Sequence, residues 1–106
     1  MRLFCPYLRC EVEWNEERQS HISERHPDLL PDHVTLIAET LASPERIRRS
    51  TRFGNARLFS RWYPNLRNGK HVVVVVISDE NASLHWVVTA YMAGKLSEGV
   101  PEWKQN

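Results

Sequence analysis

Lys70-His71-Val72-Val73-Val74-Val75-Val76-Ile77-Ser78 is the stretch that decides the architecture. Its unbroken β-branched run has neither the 3.6-residue spacing of an amphipathic helix nor the alternation of a strand with one wet face. β-branched side chains favour extended backbone. A run that is apolar at every position needs cover on both faces, so the reading is a central strand. At a sheet edge the same ladder would stand open to other chains.

Working outward, Asp79–Ala82 is a turn, and Ser83–Tyr91 is the next strand, placed to pair antiparallel with its predecessor. On the other side Pro64–Gly69 is a loop and Ala56–Tyr63 a strand. Gly54-Asn55 is a turn, and Ser50–Phe53 a short candidate strand before it. A period of two groups Arg57, Phe59, Arg61 and Tyr63 on one face. It also groups His85, Val87, Thr89 and Tyr91. Gly94–Asn106 reads as a loop-like tail anchored by Trp103.

The first half has a helical period. Asn15 is an N-cap, Glu16 and Glu17 suit the first turn, and the helix runs to about Arg25, because His26 precedes Pro27. A second helix starts near Pro31 and carries the apolar stripe Leu30, Val34, Ile37, Leu41. Ser43-Pro44-Glu45 ends it and caps a short third turn, with Ile47 packing inward. Cys10–Trp14 is a short strand or an extended arm. The expected fold is one α+β domain over residues 1–106: two or three N-terminal helices packed on a three- to four-stranded antiparallel sheet.

Composition excludes several functions. With 42% hydrophobic and 25% charged residues in 106, the chain has the balance of one ordinary globular domain. No apolar stretch is long enough to span a bilayer, and Met1–Pro6 has no secretory core. The expectation is a cytoplasmic protein without membrane contact, its Cys5 and Cys10 reduced. The 4 glycines form no phosphate-cradling loop. Neither a Ser-His-Asp order nor an isolated carboxylate pair points to a protease or glycosidase. The formal net charge of +1 hides a polarity. Glu11, Glu13, Glu16 and Glu17 cluster early, whereas Arg46, Arg48, Arg49, Arg52, Arg57 and Arg61 follow with Glu45 the one nearby acid. Arginine suits bidentate contacts to phosphate.

Two histidine arrangements invite chemistry. Arg18, His21 and Arg25 share a face of the first helix, and His26 stands at its end. Histidine is the usual proton carrier near neutral pH. Cys5, Cys10, His21 and His26 also resemble, in order, a Cys2His2 zinc set, although the central gap is short and the finger's apolar pattern is missing.

Several of these segments together resemble the phage-associated members of the barnase–EndoU–colicin–RelE-like nuclease superfamily. They are Trp14, His21-Ile22-x-x-Arg25-His26-Pro27, Ser43-Pro44-Glu45-x-Ile47, the Arg- and aromatic-rich strand, His71–Ile77, Val87-Val88-Thr89-Ala90-Tyr91, Lys95–Gly99 and Trp103. The likeness spans Trp14–Trp103, and the arm of residues 1–13 lies outside it. It implies a barnase-like sheet with a cleft between helix and sheet, and RNA cut without a metal or other cofactor. It further implies a toxin or mobile-element effector, with a possible inhibitor protein as second partner. Under it, His21 and His26 are acid and base, Arg25 and Arg61 stabilise the phosphate, and Thr89 and Tyr91 orient it. Arg52, Arg57 and Tyr63 then contact the substrate. A non-catalytic RNA- or protein-binding module of the same fold, or a small zinc-stabilised domain, is the alternative.

Overall fold

The computed structural model describes all of Met1–Asn106. It corrects the expected architecture. The sheet is mixed and seven-stranded, in the order β1-β2-β6-β5-β4-β3-β7. Only two helices accompany it. The elements are β1 (Arg2–Cys5), β2 (Cys10–Glu13), α1 (Glu16–Arg25), α2 (Val34–Ala42), β3 (Arg46–Arg49), β4 (Ala56–Tyr63), β5 (Lys70–Ser78), β6 (His85–Ala93) and β7 (Val100–Lys104).

The valine run is β5, flanked by β4 and β6, both antiparallel to it. Four segments depart from expectation. Cys10–Glu13 takes the strand form of its two expected alternatives, but Arg2–Cys5 pairs with it in an antiparallel hairpin, joined to β6 by the single parallel bridge Glu13↔Trp86. The segment after Pro44 is a strand, not a helical turn, because its backbone pairs with β4 from Arg46↔Ser60 to Arg49↔Arg57. Ser50–Phe53 is the connection beyond that strand. The tail contains β7, which pairs with β3. β3 and β7 carry one or two apolar residues each, so sheet hydrogen bonding rather than an apolar pattern makes them strands.

α1 begins where Asn15 accepts a hydrogen bond from the Arg18 N–H at 2.8 Å. It ends at His26, whose N–H donates to Ile22. α2 starts at Val34, three residues past Pro31, which lies in a turn. Both helices lie against the same sheet, α1 on β6 and α2 on β1, β4 and β5. Between helices and sheet sits the core: Ile22, Ile37, Leu41, Ile47, Phe59, Val72, Val74, Val76, Val87 and Ala90 are all at most 1% exposed.

β6 does not keep a strict period of two. Val87 and Ala90 are both in the core, three positions apart. The register shifts between Val75/Val76, so that Thr89 opposes Val75 while Val87 opposes Val76. Val88 is the extra residue of a β-bulge. His85 and Val87 therefore face the helices, while Thr89 and Tyr91 line the opposite, open face.

An acid clasp draws the two ends of the sheet together. Glu102 of β7 accepts from Arg57 at 2.7 Å, from Arg49 at 2.9 Å and from Tyr7, in the β1–β2 turn, at 2.8 Å. The Tyr7 ring also meets the edge of Phe59 at 6.2 Å. Burial raises the Glu102 pKa, but the hydrogen bonds from Arg57, Tyr7 and Arg49 outweigh it and hold the carboxyl below its ordinary range. On the same side His85 is 4% exposed, its Nδ1 2.6 Å from the Ser78 hydroxyl. Burial, and then the Arg57 charge, lower its pKa.

Glu102→Ala should cost roughly 2 kcal/mol in urea unfolding, because it leaves the Arg57 guanidinium half-buried without its acceptor. Acid should destabilise the fold in two steps. An unfolded histidine takes a proton near about 6.5, where folded His85 resists it, so stability declines as pH falls below that value. Glu102 contributes stability above the ordinary carboxylate pKa, and that is lost as pH falls through its lowered folded value. His85→Gln should remove the first step and keep the second in pH-dependent melting.

Candidate active site

The helix-free face of the sheet carries two adjoining clefts, of about 280 and 300 Å³. Leu58, Tyr91 and Glu98 line both. The first is polar: Arg48 reaches it from β3, Ser60 from β4, and Lys95 from the β6–β7 connection. The second is apolar, floored by Leu58, Val75 and Ile77, with Thr89 beside Tyr91 and Arg52 and Phe53 at its rim.

Tyr91 is the centre of this surface. The bulge at Val88 aims it at the clefts, and its ring lies 6.1 Å from the ring of His26 at the end of α1. Burial raises the Tyr91 pKa, the Glu98 carboxylate raises it further, and the Arg48 guanidinium opposes both. At neutral pH the phenol is therefore a proton donor. A phenol and two cations line one cleft, and an imidazole outside its lining stands 6.1 Å from the phenol ring. Together these groups have the chemistry to bind a phosphodiester and move protons at its oxygens.

The residues expected at the site divide sharply. Thr89, Tyr91 and Arg52 reach the open face, and Arg52 stands 3.7 Å from Glu98. His26 lines neither cleft and meets this surface through its ring contact with Tyr91. His21 does not join them: it lines a shallow recess with Glu17, Arg18, Ser20 and Glu24. Arg25 is exposed and lines neither cleft. Arg57, Arg61 and Tyr63 do share a face, but it is the face of Phe59, which the core claims. There Arg57 is paired with Glu102. Arg61 donates to the Ser43 carbonyl at 2.8 Å and stands 3.7 Å from Glu39. Tyr63 donates to Glu39 at 2.7 Å, and burial together with that hydrogen bond pushes its pKa up to about 12. None of these three meets Tyr91. In register, Tyr91 opposes Val73 and Val73 opposes Ser60, the neighbour of Arg61. Arg61 thus points through the opposite side.

The zinc arrangement does not assemble. Cys5 and Cys10 face each other across the β1–β2 ladder, and no three His, Cys, Asp or Glu side chains gather around a common point. No helix is long and apolar enough to cross a membrane.

Sequence reasoning missed Arg48, Ser60, Lys95 and Glu98 as site residues. The signal was present in the cationic run at 46–52 and in the Lys95–Gly99 segment, but nothing in their spacing says which face they reach. No protein-family model, curated protein or solved structure matches the chain.

All three tyrosines have raised pKa values: Tyr7 through burial and its bond to Glu102, Tyr63 and Tyr91 as above. Alkaline spectrophotometric titration should therefore place all three phenols above the ordinary value near 10, with Tyr63 at about 12. Tyr91→Phe should remove one of the late-titrating groups without changing the other two.

Proposed function

We propose that the chain is a ribonuclease that uses the ribose 2′-hydroxyl as nucleophile. The observation that carries this reading is Tyr91, set between the His26 ring at 6.1 Å and a cleft lined by Arg48 and Lys95. RNA needs a base, an acid and an electrophile to be cut in this way. Here His26 takes the 2′-hydroxyl proton as that oxygen attacks phosphorus. The bond from phosphorus to the 5′-oxygen breaks, and Tyr91 gives its proton to the departing oxygen. Arg48 and Lys95 offset the negative charge on the phosphorane. The His26 imidazolium then returns its proton to the Tyr91 phenolate, which restores both groups. Thr89 positions the phosphate, and Arg52 holds the strand at the rim. The resemblance to the phage-associated nuclease superfamily supports the chemistry and lends nothing to the architecture.

The roles differ from those expected along the chain. His26 acts alone among the helix histidines, and Arg48 takes the place first given to Arg61. Incubated with RNA in chelator, the protein should release fragments ending in 2′,3′-cyclic phosphate. His26→Ala and Tyr91→Phe should each lower the rate by roughly 10² to 10⁴-fold, and Arg48→Ala by about 10²-fold. His21→Ala and Arg61→Lys should retain most of it. RNA bound in a salt-dependent way by wild-type protein but never cut would identify a binding module instead. Equal loss in His21→Ala and His26→Ala would defeat the assignment.

A further inference from the structure

Next to the polar cleft the open face carries a second feature. Trp62 and His71 are cross-strand partners on β4 and β5, their rings 4.7 Å apart and edge-on at 62°. Gly69 lies beneath the indole. Its backbone is left-handed, with φ +104, and an added Cβ would stand 2.6 Å from the Trp62 ring. Glycine and histidine thus fix the indole in place, yet Trp62 remains 38% exposed. The backbone N–H of Trp62 occupies the nearby acid, Glu45, at 2.7 Å. Arg46 is exposed on the adjacent strand, opposite Ser60, and its charge is felt at His71.

We infer that Trp62, His71 and Arg46 form a base-stacking subsite for an unpaired nucleobase of single-stranded RNA, across the sheet from the cleft at Tyr91. The inference rests on the ribonuclease reading of that cleft. A rigid, half-exposed indole beside a guanidinium is the surface on which bases stack without regard to sequence. Position supports it. Trp62 stands two residues along and two strands across from Tyr91, a separation of about 12 Å on the sheet. That is several times the roughly 3.4 Å rise of a stacked strand. A phosphate in the cleft and a base on Trp62 are reached together only by a chain whose stacking has opened. A duplex keeps its bases paired and presents mainly backbone.

The test uses the full chain and fluorescein-labelled hexauridylate, hexa-adenylate and a matched RNA duplex. Wild type should bind both hexamers more tightly than the duplex. Trp62→Ala should weaken hexamer binding roughly tenfold, and Trp62→Phe should restore most of it. In cleavage, Trp62→Ala should raise KM by a similar factor and leave kcat within about twofold. His71→Ala provides an independent variant if Trp62→Ala melts early. Hexamer affinity unchanged in a folded Trp62→Ala or His71→Ala, with wild type still binding, overturns the subsite and leaves the nuclease reading standing. Preference for the duplex overturns the subsite as well. A wild type that neither binds nor cuts any of the three overturns both.

Discussion

Two buried residues on one strand, three positions apart, set the geometry of the open face and its clefts. Val87 and Ala90 both lie in the core. A strand of strict alternation cannot deliver both to one face. The chain absorbs the mismatch in one extra residue, Val88, opposite the Val75/Val76 step. Before it, His85 and Val87 face the helices. Beyond it, Thr89 and Tyr91 turn to the open face. Without the bulge, Tyr91 would be driven into the core side, and the open face would lose its one ionisable phenol.

The same partition governs the cations. Phe59 and Ile47 are drawn inward by the hydrophobic effect. Period two then forces Arg57 and Arg61 to the same side. Each is answered there by an acid, Glu102 and Glu39. These charges are committed to holding strands and turns together. Arg46, Arg48 and Arg52 have the opposite parity or lie in the connection and belong to the open side, where Arg48 donates to the Gly99 carbonyl at 3.2 Å and Arg52 stands 3.7 Å from Glu98.

Much of the central sheet was legible, because β4 and β5 declare themselves by β-branched and aromatic density. The first helix was legible too, since Asn15 and Pro27 are punctuation that needs no tertiary context. β1, β3 and β7 were not, and the three-to-four-stranded expectation failed through them. Arg46-Ile47-Arg48-Arg49 offers one apolar side chain, and only its neighbours' backbone groups make it a strand. For the site, alternation correctly grouped Arg57, Arg61 and Tyr63, but it does not say which face is core. Phe59 decides that against them. The bulge split His85 from Tyr91 for the same reason: parity read from sequence holds only while the register does.

The cleft itself follows from strand order. β7 pairs with β3, so after β6 the chain must pass over β5, β4 and β3. Four strand spacings amount to about 19 Å. Val100 opposes Arg49, which lies in register with Val76, five residues along β5 from His71, the partner of Ala93. That adds about 16 Å along the strand, so on a flat sheet the diagonal is about 25 Å. Seven links of chain reach at most about 25 Å. The crossing therefore lies close against the sheet, and the sheet curls to meet it. Where it lands, Gly99 has φ +86, and a Cβ there would stand 2.8 Å from the Arg49 carbonyl. A connection with this little slack cannot swing clear of the open face. It holds Lys95 and Glu98 beside Tyr91, so the cleft is a consequence of the topology rather than of any one contact.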